Sequence, residues 1–275
     1  LSDLASHREE RQPDRKVKSL RPRKAITTTP DTSVAEVARM MADKRTDCML
    51  VIGHDGLLQG IVTDTDITRR VAAAGVDSSV DIGSVMTKDP RCVGSEDSAI
   101  EALCTMVENH FRHLPVLDTD GVVVGVLDIA KCLFDAIVRM EKGQQKSNKL
   151  EDVMKKVSEE WSGSRGAEAA ALQQMLGPMM QQVFAPTLAT VLAEAKRTAP
   201  RVNLNSTIAE VARQMGSHRK AAVVMGEGGA PVGIFTPKDL LFKVVARGLS
   251  MDTLVGEVMT PEPDTAGSQT TILEA

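Results

Sequence analysis

The sequence predicts an α+β fold built from tandem β-α-β-β-α units that pair with one another. Residues 32–61 (TSVAEVARMMADKRTDCMLVIGHDGLLQGI) recur without a gap, 65 positions on, as residues 97–126 (DSAIEALCTMVENHFRHLPVLDTDGVVVGV). Ser33/Ser98, Glu36/Glu101, Met41/Met106, Val51/Val116, Asp55/Asp120, Gly56/Gly121 and Gly60/Gly125 are identical. The AEVAR string of Ala35–Arg39 returns a third time as Ala209–Arg213. A repeat of this length is one supersecondary unit that cannot bury its apolar face alone, so it requires a partner copy.

The elements follow in order. Ala25 to Thr28 is short and β-capable. Ser33 with Glu36 three residues on forms a capping box. Val34, Val37, Ala38 and Met41 then follow at helical spacing. Cys48 to Ile52 is an apolar run suited to a buried strand, Gly53-His54-Asp55-Gly56 is a hairpin-type turn, and Gly60 to Thr63 is the return strand. Asp64-Thr65-Asp66 opens a helix through Ala74. The second copy repeats the order, with a capping box at Ser98 and Glu101, strands at 113–117 and 122–127, and a last helix from Ile129 to Met140. The third copy places strands at 221–225 and 232–235 and a helix from Asp239 to Ala246. Val255 to Thr260 (VGEVMT) matches Ile82 to Thr87 (IGSVMT) and begins a fourth copy. The resulting division is a flexible arm at 1–16, repeats at 17–80 and 81–141, a helical connector at 142–198 containing Met175, Met179 and Met180, a third repeat at 199–250, and the start of a fourth at 251–275. Both termini read as truncated.

Composition narrows the function. Of 275 residues, 42% are hydrophobic and 25% charged, an ordinary balance for a globular chain. The net charge of −4 and aromatic content of 2%, with no Tyr, argue against a nucleic-acid binder, which needs a basic face or stacking platforms. Cys48, Cys92, Cys104 and Cys132 form no CxxC pair and read as reduced, buried thiols in an intracellular, cytoplasmic protein. No apolar run approaches the roughly 18 residues of a membrane span. His7, His54, His110, His113 and His218 lack metal-ligand spacing, and no Ser/His/Asp constellation or phosphate-cradling glycine loop is present. No metal, cofactor or catalytic residue is therefore expected.

The strings GIVTDTDI, FRHLPVLDTDG and SVMTKDP, set in this repeating unit, resemble cystathionine-β-synthase (CBS) domains, which pair into Bateman modules. FRHLPV, LDIAKCLFDAI and the Met-rich connector resemble most the plant, algal and fungal proteins with two CBS pairs and a Phox/Bem-type interaction domain. No such domain is read in these residues. The resemblance implies tandem CBS repeats with the second module truncated, self-association through CBS modules, and a cleft that holds AMP, ADP, ATP or S-adenosylmethionine. Its motif falls on Gly60 to Asp66. Asp66 would accept the ribose hydroxyls in charge-assisted bonds, with Thr63 beside it. Ile26, Thr27 and Thr28 would lie against adenine. Arg69, Arg70, Arg112, His113 and Lys131 are the phosphate candidates. The spacing alone also fits a bland reading, in which the Asp residues cap a helix and the Arg residues form a solvated face.

The copies differ. The second has Asp128 in place of Thr63 and Lys131 in place of Asp66, which predicts one main site. The third restores the motif in Thr236 and Asp239, with Lys243 as its phosphate candidate. That second site is expected to be weak, since it lacks its partner strands. The function expected is regulatory and non-catalytic, signalling adenylate levels to an unidentified protein partner or attached domain. The alternatives are a ligand-free, redox-responsive interaction scaffold and the regulatory fragment of a larger enzyme.

Overall fold

The computed structural model describes residues 15–135, 138, 187–194, 198–218 and 220–271. These fall into two compact units, one formed by residues up to 134 together with 200–260, the other by the described parts of 135–199 and 261–275.

In the larger unit the first repeat comprises β1 (Thr27–Thr28), α1 (Val34–Asp43), β2 (Cys48–Ile52), β3 (Leu58–Thr63) and α2 (Asp64–Asp66). A π-helical stretch, Ile67–Ala72, extends α2. Helix α1 forms where expected: Ser33 Oγ accepts the Glu36 N–H, and Val34, Val37, Ala38 and Met41 are buried at helical spacing. β1 pairs parallel to β2, and β2 antiparallel to β3. The second repeat has β5 (Val93–Gly94), α4 (Ala99–Glu108), β6 (His113–Leu117) and β7 (Val123–Asp128), followed by a helix over residues 129–135. The third has β8 (Arg201–Asn203), α7 (Ile208–His218), β9 (Ala222–Met225), β10 (Pro231–Phe235) and α8 (Pro237–Asp239), extended by a second π-helical stretch, Leu240–Val245. The labels α5 and α6 denote the helices 129–135 and Leu188–Glu194. The tandem β-α-β-β-α organisation is thus present, within an α+β fold.

The segments leading into each repeat are exchanged. α3 (Ile82–Val85) and β4 (Thr87–Lys88) precede the second repeat, yet Ile82, Val85 and Met86 lie in the core of the first and β4 pairs with β3. The equivalent segment 65 residues earlier, the 3-10 helix Val17–Leu20, crosses the other way. Val17 is buried in the second repeat's core, and Arg23 bridges to Val126 of β7. α9 (Val255–Val258) and β11 (Thr260–Pro261) repeat the arrangement on the third repeat, with Val255 and Val258 in its core.

This exchange explains the motif glycines. A Cβ on Gly60 would lie 2.2 Å from Met86 Sδ, and one on Gly233 2.2 Å from Met259 Sδ. A Cβ on Gly125 would lie 2.8 Å from the Arg23 carbonyl oxygen. Only a residue without a side chain lets the exchanged segment approach.

Two kinds of contact join the repeats. The first and second meet through sheet faces, where Cys48, Leu50 and Ile61 pack with Val126. The first and third meet through helices. α1 packs against the Leu240–Val245 stretch, and α7 against Ile67–Ala72. Leu241 is wholly buried in the first repeat's core, and Ala72 sits in the third's.

The second unit shows the same docking on a small scale. Thr187 bridges to Thr271, and the Leu188 N–H donates to the Thr270 carbonyl at 2.9 Å. Lys16 and Ser98 form the corresponding bridge in the larger unit. Residues 1–14 of the expected arm, and most of the connector with its three named Met residues, lie outside the described residues.

Candidate functional site

Thr63 ends β3 and caps α2. Its hydroxyl accepts the Asp66 N–H at 3.3 Å, while Asp66 Oδ2 accepts from the Thr63 N–H at 3.0 Å and the Thr63 hydroxyl at 2.8 Å. Asp66 Oδ1 takes the Thr87 hydroxyl at 3.2 Å and lies 3.6 Å from Arg70 Nε. Three hydrogen bonds and the Arg70 guanidinium thus surround this carboxylate. The third repeat reproduces the constellation. Asp239 Oδ2 accepts from the Thr236 N–H at 2.9 Å and hydroxyl at 2.7 Å, and its Oδ1 accepts the Thr260 hydroxyl at 3.1 Å and meets Lys243 Nζ at 2.8 Å. The Thr236 group is locally complete.

Thr63 and Asp66 line a cavity of about 640 Å³ shared by three repeats. Ile61, Asp64, Thr65 and Thr87 come from the first repeat and its exchanged segment. His110, Phe111, Arg112 and His113 come from the second, and Thr236, Pro237 and Lys238 from the third. The cavity thus unites Thr63, Asp66, Arg112, His113 and Thr236. The other predicted residues are directed elsewhere. Ile26 packs on the first repeat's core, and Thr28 is buried. Arg70 donates to the carbonyls of Val85 and Met86 and to Thr87. The Cα and Cγ of Arg69 lie 3.9 Å from where a Cβ on Gly216 of α7 would sit. Lys131 donates to the Arg21 carbonyl at 3.4 Å. Arg21 is the counterpart of Met86, so Lys131 and Arg70 both tether an exchanged segment.

Arg112 and His113 of the cavity wall also belong to a buried charge network with Asp47 and Asp128, of which motif reading missed Asp47. Asp47 and Asp128 are 4% and 3% exposed. Arg112 Nη2 lies 3.0 Å from Asp47 Oδ2, and Arg23 Nη2 3.3 Å from Asp128 Oδ2. His113 Nε2 stands between the two acids, 3.3 Å from Asp47 Oδ1 and 4.0 Å from Asp128 Oδ2. His113 Nε2 and Asp128 Oδ2 are buried without a well-formed hydrogen bond. Asp128 also accepts the Ala130 N–H at 3.0 Å, so it caps its helix as Thr63 caps α2. The close approach of His113 Nε2, aided by the charges of Arg112 and Lys238, holds the Asp47 carboxyl well below its usual range despite its burial. Burial, then the nearby Asp47 charge, pushes the Asp64 carboxyl up. The signal in the sequence was a charge reversal: Asp47 and Arg112 occupy the same position in consecutive copies. Among the described residues no cluster of His, Cys, Asp and Glu could hold a metal ion, and no helix is long and apolar enough to cross a membrane.

The CBS domain family model matches residues 17–73, 82–138 and 194–246, most of the chain. The chain belongs to the CBS-domain family. It is 39% identical over 265 residues to the CBS domain-containing protein CBSCBSPB3 of Arabidopsis thaliana, covering 95% of this chain and 46% of that protein. It is 30% identical over 264 residues to the meiotically up-regulated gene 70 protein of Schizosaccharomyces pombe, covering 88% and 36%. The chain therefore spans less than half the length of these plant and fungal relatives. Among solved structures, protein MJ1225 from Methanocaldococcus jannaschii matches 94% of this chain and 86% of its own at 13% identity, with a TM-score of 0.60. That likeness is one of fold. The paired first and second CBS repeats are the Bateman module expected from the motifs.

Proposed function

We propose that this chain is a non-catalytic regulatory module that binds an adenosine compound in the cavity where its CBS repeats meet. The observation carrying this reading is the placement of Thr63 and Asp66 on one wall of the 640 Å³ cavity with Arg112, His113 and Lys238 on the others. A diol-accepting carboxylate thereby faces cationic groups across a space large enough for a nucleotide. The ribose would replace the Thr87 and Arg70 contacts on Asp66 Oδ1, leaving the capping box on Oδ2 intact. Arg112 and Lys238 would meet the phosphate. Thr236, Asp239 and Lys243 form the second, weaker site of the proposal. Ile26, Thr27, Thr28, Arg69, Arg70 and Lys131 do not line the cavity and enter the proposal only if the ligand extends beyond it.

A ligand shared by several repeats shifts their relative arrangement by its differential affinity for the alternatives. Signalling to a protein partner or an attached domain follows from that shift. The subgroup likeness, with its Phox/Bem-type domain, belongs to this proposal and rests on the FRHLPV and LDIAKCLFDAI strings. So does a reducing intracellular setting, which suits four cysteines that form no disulfide. Self-association is supported by the second repeat's helices, whose Ile100, Val107, Leu133 and Phe134 are exposed. The equivalent helices of the first and third repeats cover each other.

A thermal-shift panel of AMP, ADP, ATP and S-adenosylmethionine tests the reading. A ligand at 100 times its dissociation constant stabilises by about 2.7 kcal/mol. No shift across the panel rejects it and favours the interaction-scaffold alternative.

A further inference from the structure

We propose a second anion site, outside the nucleotide cavity, in the groove where α1 meets the third repeat's Leu240–Val245 stretch. This groove of about 480 Å³ is lined by Arg39, Arg45, Lys238 and Arg247, with Asp43 as its single carboxylate. Its apolar floor includes Phe242 and Ala246. Lys238 Nζ also lies 3.9 Å from Asp47 Oδ2, which leaves three arginines facing one carboxylate, still a local excess in a chain whose net charge is −4. Arg39, Arg45 and Arg247 have no ion-pair partner among the described residues, and like charges gathered in a concave surface repel unless an anion joins them.

Helix electrostatics account for part of the cluster only. Arg45 and Arg247 follow the C-terminal ends of helical segments, where a cation complements the dipole. Arg39 sits inside α1, and Lys238 lies in the first turn of α8, the end that disfavours a cation. Two features hold the groups toward the groove. Arg45 occupies the left-handed turn that ends α1, with φ of 50°, and Lys238 rests over the Phe242 ring, 5.7 Å from its centroid.

Two cations come from the first repeat and two from the third. The ligand class this favours is a short polyphosphate chain, free or carried by a nucleotide, long enough to engage both sides. Such a ligand would clamp the seam between the two repeats. The site rests on its three arginines and not on the cavity reading, with which it shares Lys238.

Calorimetry with inorganic tripolyphosphate tests this, in buffer matched for ionic strength with sulfate. The wild-type chain is expected to bind saturably, and Arg39→Ala/Arg247→Ala to bind at least tenfold more weakly, since each change removes a charge-assisted contact. AMP binding is expected to be unchanged in that double variant. ATP arms with and without excess tripolyphosphate distinguish the sources: competition for part of the ATP affinity marks a nucleotide-borne chain, and its absence a free one. Equal tripolyphosphate affinity in wild type and double variant, or complete suppression by matched sulfate, overturns the proposal. Tripolyphosphate binding without AMP binding supports this site and counts against the cavity reading alone.

Discussion

Arg112 and Asp47 hold the same position in consecutive repeats, 65 residues apart, and Nη2 of one lies 3.0 Å from Oδ2 of the other. The repeat therefore pairs with itself across an approximate two-fold relation, and a charge reversal at one position becomes an ion pair. His113 and Asp128 extend the pair into a buried network.

Asp47→Asn is expected to destabilise the chain by about 1.5–3 kcal/mol at pH 7, the scale of hydrogen bonds to a charged group. The native carboxyl titrates far below its unfolded value near 3.8, so its stabilisation is full above that value and is lost as pH falls toward the native one. Urea unfolding of both proteins across pH should show the gap narrowing only below about pH 4. A gap that narrows already between pH 7 and pH 5 would argue against this network.

Asp64 has the opposite sign. Its native pKa is raised by burial first and by Asp47 second, so ionisation costs more in the folded chain, and stability falls as pH rises through the window above the unfolded value. Asp64→Asn is expected to raise the melting temperature at pH 7 and to leave it unchanged at pH 3. Lower stability at pH 7 would show that the charge is needed.

Asp66→Ala and Asp239→Ala should each cost about 1–2 kcal/mol through loss of a helix cap. Their structural costs should match because their hydrogen bonds match. Chemical denaturation of the two variants measures this, and a cost in only one of them would break the equivalence of the two constellations.

Gly60→Ala places a Cβ 2.2 Å from Met86 Sδ. The expected cost is about 1–3 kcal/mol from overpacking. Adding Met86→Ala should recover part of it, read as a coupling in a double-mutant cycle. Simple additivity would mean that the exchanged segment does not press on this glycine.

Thiol accessibility bears on the redox alternative. Cys48 is buried as expected and its thiol is pushed up in pKa, first by burial and then by Asp47, whereas Cys92 and Cys104 are exposed, contrary to the expectation of four buried thiols. Mass spectrometry after brief alkylation of the folded chain should find Cys92 and Cys104 modified and Cys48 intact. Rapid labelling of Cys48 would contradict the packing of the first two repeats.

The local elements were legible because their signals are local. Ser33/Glu36 and Ser98/Glu101 announce helix starts, and Cys48–Ile52 and His113–Leu117 announce strands. The exchange of lead-in segments was not legible, since Val17 and Ile82 are equally apolar whichever core receives them. The site was half legible. The family resemblance implied Thr63, Asp66, Arg112 and His113, which share the cavity wall. It could not show that Arg70 and Lys131 would turn to backbone carbonyls, because a free cation and a tether look alike in sequence. Asp47 escaped notice, and Asp128 was read only as a departure from the motif, because burial, not residue type, makes them consequential.

The most direct test of the account is calorimetry of AMP against the wild-type chain and Asp66→Ala, with folding of the variant verified by circular dichroism. The account predicts saturable binding with one main site per chain, weakened about tenfold or more by the substitution. Absence of saturable binding in the wild type, or equal affinity in a folded Asp66→Ala, would contradict it.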